Sequence, residues 1–254
     1  IYIERGREAQ AFGHPSEAMR IAAVVSLRRL KGFKELTSFI NDASPQVMSD
    51  AVRAIYDEAD AQTFLAYPKS LSAVAGSLDP QHPPAVNVRA IAANRRLGTF
   101  ASAKRISRFL ANPSLSRALR IQALYALESW PQASQLDPID GRYFPVPAGD
   151  MDALNEAIGP EIWALANDDD DKISRQAIAV LQRINPDKAK LDQAAGFVLD
   201  EKQRSVVRKE WLRLLRKWDL TLFTSVGVQV LSSKSTALRM VAAQELTEAE
   251  RGGS

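Results

Sequence analysis

Four consecutive aspartates, Asp168 to Asp171, are the densest set of potential metal ligands in the sequence. They lack the alternating spacing and the glycine of an EF-hand loop, and a helical stretch opens directly after them at Lys172. Acidic residues in that place favour the positive end of a helix dipole, so the pattern predicts capping rather than calcium coordination. Asp137 and Asp140, with Gly141 following, have the residue types of an acid–base pair, but Asp-Pro and Asp-Gly are turn formers first. The only imidazoles, His14 and His82, each precede a proline at a helix-flanking turn, which reads as a surface position rather than a ligand or a general base. The sequence has no cysteine. Within these residues that excludes disulfides, thiolate nucleophiles, Cys-ligated zinc and haem attachment through Cys-x-x-Cys-His, while leaving the redox compartment open. There is no Gly-rich phosphate loop and no G-x-S-x-G elbow. The sequence therefore predicts no catalytic, cofactor-binding or metal site in this chain.

What remains is charge. From Pro80 to Leu127 there is no Asp or Glu, yet the stretch carries Arg89, Arg95, Arg96, Lys104, Arg105, Arg108, Arg117 and Arg120. From Glu128 to Asp171 the sign inverts, with Arg142 the single cation among eleven acidic residues. The net charge of +3 hides this asymmetry. Either the two blocks neutralise each other between adjacent elements, or they steer an acidic partner to one end and a basic partner to the other. A basic face can also follow a phosphate backbone, which makes nucleic-acid binding, including a glycosylase-like version, the alternative function. Phe100, Phe109 and Tyr125 are the aromatics of the basic block, and all three are expected in the core, leaving no base-stacking platform. Trp211 and Trp218 are seven residues apart and share a helical face, a core pattern more than a base-binding wall.

The elements that position these residues are helical throughout. Ser16 to Leu30 reads SEAMRIAAVVSLRRL, with apolar residues along one face and Ser16 placed to cap. Phe33 to Ile40 supplies a short second helix and Val47 to Tyr56 a third, with Ala61 to Leu78 continuing less regularly past an interruption at Pro68. Val86 to Leu97, Ala101 to Leu110 and Leu115 to Trp130 follow, separated by short Gly- or Pro-containing turns. Met151 to Ala166, Ile173 to Ile184, Leu191 to Leu199, Val206 to Trp218, Leu220 to Leu231 and Ala237 to Glu248 complete the series. No segment keeps a period of two between hairpin turns, so the fold class is all-α.

The helices also share a register. Ala23, Val52, Ala93, Ala123, Ala177, Trp211 and Ala242 are small or apolar, and each has a partner four positions on: Leu27, Tyr56, Leu97, Leu127, Leu181, Leu215 and Leu246. The intervals are 29 to 34 residues, stretched to 41 and 54 where insertions fall. Arg20, Arg120, Arg208 and Arg239 each stand three residues before a register position. This is the period of stacked helical hairpins, none of which buries its apolar face alone. The prediction is a single α-solenoid over residues 1–254, of roughly six to seven hairpins, with a long loop insertion at 131–150.

That pattern resembles the HEAT-repeat family. The run from Val88 to Gly98, the run from Leu119 to Pro131 and the loop from Asp137 to Pro147 are, in this order, similar to the HEAT region of large bacterial dehydrogenase-like proteins. In that family a sugar-dehydrogenase-like β-propeller precedes the array and a c-type cytochrome domain usually follows. The propeller and the haem-binding motif are missing here, so no catalytic or cofactor residue carries across. The resemblance implies a connecting scaffold of an exported, periplasmic enzyme, with haem c and PQQ held elsewhere in the parent and the neighbouring propeller and cytochrome domains as partners. A free-standing chain would instead be expected in the cytoplasm.

Two features complete the reading. The N-terminal Ile1-Tyr2-Ile3-Glu4-Arg5 has neither an initiator Met nor a signal-peptide layout, and it reads as the start of an excised piece. No run of apolar residues is long enough to span a bilayer, so no membrane insertion by this segment is expected. The loop at 131–150 offers Arg142, Tyr143 and Phe144 on a proline-stiffened segment. Either it straps an aromatic side chain back over the helices, or it docks a neighbouring domain; long loops seldom leave two aromatics in water, which favours the strap.

Overall fold

The computed structural model describes residues 11–58, 66–132, 134–144 and 148–252. Among these the fold is an all-α solenoid of stacked helices, and the only β-type pairing is one isolated antiparallel bridge, Leu136 to Tyr143. The chain divides into two compact units, residues 1–158 and 159–254.

In the first unit, α1 (Glu17–Leu30), α3 (Pro45–Tyr56), α5 (Pro84–Leu97) and α7 (Arg117–Glu128) pack in succession as one layer. The return helices α2 (Phe33–Leu36), α4 (Pro68–Gly76) and α6 (Phe100–Leu110) lie on the other side, and α8 (Met151–Ala157) docks on α6. In the second unit, α9 (Pro160–Leu165) packs on α10 (Asp171–Leu181). Next come α11 (Lys188–Leu199), α12 (Ser205–Trp218), α13 (Leu220–Val230) and α14 (Thr236–Gly252). Here α10, α12 and α14 form one layer, and α11 packs on α13 in the other.

The register read from the sequence selects one layer of each stack. Ala23, Val52, Ala93 and Ala123 lie on α1, α3, α5 and α7; Ala177, Trp211 and Ala242 lie on α10, α12 and α14. All seven are fully buried. Everywhere but at Trp211 a small side chain at the contact lets one helix approach the next, and the larger residue four positions on fills the groove beside it. Leu127, Leu181 and Leu215 are fully buried in that role, and so is Tyr56.

The arginine three residues before the register position has one recurrent use. Arg20 donates to the carbonyl of His14 (2.7 Å), Arg120 to Pro113 (2.6 Å), Arg208 to Val198 (2.7 Å) and Arg239 to Ser233 (2.8 Å). In three cases a guanidinium near the start of a layer helix pins the loop that enters it, and Arg208 instead pins the last turn of the preceding helix, α11. Those carbonyls sit where no helix supplies a partner, and the charged donor strengthens each bond.

Several local boundaries differ from the sequence reading. The interruption expected at Pro68 falls just before it, at Tyr67, and Pro68 occupies the first turn of α4, where its missing N–H costs nothing. The earlier part of that expected helix, 61–65, lies outside the described residues. The predicted helix from Met151 to Ala166 is two helices, because Gly159 adopts an extended backbone and Pro160 starts α9 afresh. After α2 the chain tightens into a 3-10 turn, Thr37–Phe39. Among the described residues no helix is long and apolar enough to cross a membrane.

Candidate functional site

Three of the four aspartates at the start of α10, Asp168, Asp170 and Asp171, are engaged in local structure. Asp170 caps the helix, accepting from the backbone N–H groups of Lys172 (2.8 Å) and Ile173 (3.2 Å), and Asp168 accepts from the N–H of Asp170 (2.8 Å). Asp171 pairs with Arg204, whose guanidinium also reaches the Asp168 carbonyl. His14 is exposed and accepts from the N–H of Ser16, whereas His82 sits with Nδ1 2.8 Å from the Ser77 carbonyl.

The basic block is not a solvated face. Arg89, Arg95 and Arg96 are buried on α5. Arg89 grips the two carboxylate oxygens of Asp57 at 2.8 and 2.7 Å and donates to the Ala85 carbonyl. Arg96 donates to Asp137, which lies in the loop after α7. Arg105 donates to the side-chain oxygen of Asn94 and is half-buried with Lys104, while Arg108 is exposed. The aromatics depart from expectation as well. Phe109 is buried, but Phe100 and Tyr125 are exposed at 40% and 52%. Both lie on outward faces of their helices, positions that helical spacing alone did not separate from the core.

The described parts of the loop, 131–132, 134–144 and 148–150, form a strap on the first unit; 133 and 145–147 lie outside the described residues. Leu136 and Tyr143 bridge, with the Asp137 N–H donating to the Arg142 carbonyl and the Phe144 N–H to the Gln135 carbonyl. Gly141 closes the turn at φ +73°, a conformation that glycine adopts without strain. Asp137 accepts from the N–H groups of Ile139 and Asp140, as a turn-forming aspartate does, but its second oxygen faces inward to Arg96 and to the Tyr56 hydroxyl at 2.8 Å. Burial, above all, pushes the Tyr56 phenol well above its usual range, so it stays a proton donor to Asp137. The Arg96 guanidinium carbon lies 4.3 Å from the Tyr56 ring centre and 3.6 Å from that of Phe144. Phe144 and Ile139 join the apolar core of this unit, whereas Tyr143 is 68% exposed. Arg142 ties the strap to the end of α3 through the Asp57 carbonyl and pairs with Asp140. Burial opposes ionisation of Asp140, but the N–H and guanidinium of Arg142 outweigh it and hold this carboxyl below its usual range.

The far end of the strap closes on the turn between α5 and α6. Trp130 is fully buried; its indole N–H donates to the Asp150 carbonyl at 3.0 Å, and its own carbonyl accepts from Gly149. Gly149 lies against the indole so closely that a Cβ would stand 2.4 Å from the ring.

Between the strap and the layer helices is a pocket of about 70 Å³. Tyr56, Ile91, Ala92, Arg95 and Arg96 line it from α3 and α5, Gln122, Tyr125 and Ala126 from α7, and Leu136 to Pro138 from the strap. It is smaller than the roughly 150 Å³ cavity that takes a benzene ring, so it admits a side chain rather than a cofactor. Tyr125 and exposed Leu136 stand among its lining residues.

Of the side chains singled out from the sequence, Arg95, Arg96 and Phe144 come together here, with Arg142 and Tyr143 on the strap beside them. Lys104, Arg105 and Arg108 lie on α6 and are not part of it. Tyr56 and Trp130 were not singled out as site residues, and Asp137 was read as a turn former rather than as the partner of Arg96. An arginine pair in a stretch without acids, followed by the aspartates of a long loop, was the available signal for Asp137; nothing local marked Tyr56.

No protein-family model and no curated protein matches the sequence. Solved structures similar to the chain include an engineered protein with a TM-score of 0.48 and 12% identity, covering 96% of this chain and 98% of that one. A second is described as computationally designed armadillo repeat proteins for modular peptide recognition (TM-score 0.47, 16% identity, 96% and 98% covered). A third is a designed armadillo repeat protein in complex with the peptide (KR)4 (TM-score 0.45, 14% identity, 97% and 99% covered). None of these likenesses bears on the chemistry of the strap.

Proposed function

We propose that this chain is a non-catalytic scaffold that docks other protein segments, and that it is the HEAT-repeat segment of a larger exported dehydrogenase-like haem protein. The observation that carries the scaffold reading is the strap. Its backbone is anchored by the buried Arg96–Asp137 pair and by Phe144, yet it presents Leu136 and Tyr143 to solvent at 56% and 68% exposure. Ordered apolar groups held outward on a rigid element suit a contact surface. Of the side chains that resembled acid–base or metal chemistry, Asp137, Asp140, Asp168, Asp170 and Asp171 are engaged in turns, caps and ion pairs. The parental role, with haem c and PQQ in other domains and an extracytoplasmic location, rests on the resemblance of the three sequence motifs. Nucleic-acid binding through the basic block is the weaker reading, because Arg89, Arg95 and Arg96 are turned into the fold.

The test is the intact mass of the native chain carrying these residues, with a visible spectrum of the same material. The expected result is a chain much larger than 27.9 kDa with a haem Soret band. A colourless chain of this size would overturn the parental assignment and leave a free-standing adaptor.

A further inference from the structure

The strap turns through Asp140-Gly141, a pair with a reaction of its own. When the Gly141 amide nitrogen attacks the side-chain carbon Cγ of Asp140, a new N–Cγ bond closes a five-membered imide. The carboxyl loses one oxygen as water, which carries away the amide proton and the acid proton. Water then reopens the ring, so the molecule released in the first step is returned in the second. Opening at the side-chain carbonyl restores aspartate. Opening at the main-chain carbonyl leaves isoaspartate, whose backbone runs through Cβ and Cγ and is one carbon longer. Glycine hinders the attack least, since it has no Cβ beside the nitrogen.

The closed strap withholds what the first step needs. The nitrogen must lose its proton, but the Gly141 N–H donates to the Asp137 carbonyl at 2.9 Å. The carboxyl must be neutral and free to turn, but both its oxygens are held: Oδ1 accepts from the Arg142 N–H at 3.0 Å and Oδ2 from Arg142 Nε at 2.6 Å. Charge-assisted bonds of this kind favour the ionised form, and Arg142 is itself tied to the Asp57 carbonyl. On either side of the turn the Asp137 N–H donates to the Arg142 carbonyl (2.8 Å) and the Phe144 N–H to the Gln135 carbonyl (2.6 Å). The buried Arg96–Asp137 pair and Phe144 in the core keep that frame on the first unit. Asp140 and Gly141 are nonetheless exposed, so water is at hand as soon as these bonds open.

We propose that Asp140-Gly141 is a latent isoaspartate site which the closed strap holds inert, so that lasting release of the strap becomes a permanent covalent change. The reaction draws on the open form alone, and its rate is that of the free dipeptide scaled by the fraction of time the turn is open. Once isoaspartate forms, the extra backbone carbon moves Gly141 out of register with the Asp137 carbonyl, and the turn cannot close as before. The proposal goes beyond the scaffold reading and does not depend on it.

The experiment incubates the whole 254-residue chain at neutral pH in ¹⁸O-water and follows isotope uptake and isoaspartate at Asp140 by peptide mapping. The reference is the peptide acetyl-Pro-Ile-Asp-Gly-Arg-Tyr-amide under the same conditions. The folded chain should react about tenfold or more slowly than the peptide. Arg142→Met, which frees one carboxylate oxygen, and Phe144→Ala, which loosens the strap without touching the turn, should each speed the reaction severalfold. Hydrogen exchange in the same samples separates strap release from unfolding: the Gly141 amide should exchange faster in both variants, while the amides of α3 and α5 stay protected. A folded chain that reacts as fast as the peptide overturns the proposal, as do two variants no faster than the parent. Acceleration in Arg142→Met alone also overturns it, since the protection would then lie in the carboxylate bonds and not in strap closure.

Discussion

Arg96 and Asp137, 41 residues apart, form an ion pair whose side chains are 4% and 1% exposed. The pair joins the basic block to the acidic one and fixes the strap to α5. Tyr56 and Phe144 enclose the guanidinium, so water reaches neither partner easily. Removing Asp137 would leave the Arg96 charge in that enclosure without its carboxylate. Asp137→Ala should cost about 3–5 kcal/mol in urea unfolding. Restoring neutrality by Arg96→Met in the Asp137→Leu background should recover most of it. A single-variant loss below about 1 kcal/mol would mean the pair is solvated in solution.

The two glycines at the other end of the strap are separable. Gly149→Ala puts a methyl 2.4 Å from the Trp130 indole, whose ring is fixed by its bond to Asp150, so the strap must shift. The expected loss is about 1–3 kcal/mol, with a change in Trp130 fluorescence. Gly98 has φ +59° with an open environment, its nearest foreign atom 3.5 Å from a built Cβ. Gly98→Ala should therefore cost about 1 kcal/mol through backbone strain alone and leave the fluorescence unchanged.

In the second unit, Trp163 stacks on Trp211 with ring centres 5.4 Å apart. The two indoles differ in their N–H groups. That of Trp211 donates to the Asn167 side-chain oxygen at 3.2 Å, whereas that of Trp163 is buried with no acceptor among the described residues. Both Trp→Phe changes remove similar volume. Trp211→Phe should be the more destabilising by about 1 kcal/mol, since only it loses a hydrogen bond and Trp163→Phe discards an unpaired donor. Chemical denaturation of the two variants side by side reads the difference, and equal losses would place an acceptor at Trp163.

Acid stability has an identifiable contributor in Asp42. Burial opposes its ionisation, but hydrogen bonds from Arg20, the Ser44 N–H and the Arg20 charge outweigh that and hold its carboxyl below the usual value of 3.8. A carboxyl lowered in the folded state stabilises fully above the unfolded value and loses that contribution as pH falls through the folded one. Stability should therefore drop below about pH 4, and Asp42→Asn should lower the plateau at neutral pH while flattening that decline. Parallel curves for both proteins from pH 6 to about pH 2 would exclude Asp42 as the source.

The sequence by itself determined the repeat. Helical period and an apolar residue, small in all but one helix, with a partner four positions on are local properties, and they were enough to pick out the buried layer of α1, α3, α5 and α7 in one unit and of α10, α12 and α14 in the other, although the Ser16 side chain makes no capping bond. The capping use of Asp170 was equally legible, because a cap acts within one turn of its own helix.

Only the tertiary structure decided which charges and aromatics are used, and Arg95 and Arg96 show why. They are adjacent and chemically identical, but successive residues on a helix point about 100° apart. One therefore meets Asp137 on the strap and the other meets Trp130 and an apolar pocket. Tyr143 and Phe144 divide in the same way, since neighbours along an extended segment face opposite sides. Phe144 reaches the core and Tyr143 is left in solvent. Composition counts such residues alike; the direction of each side chain, and what the return of a distant loop places opposite it, is settled only when the chain has packed.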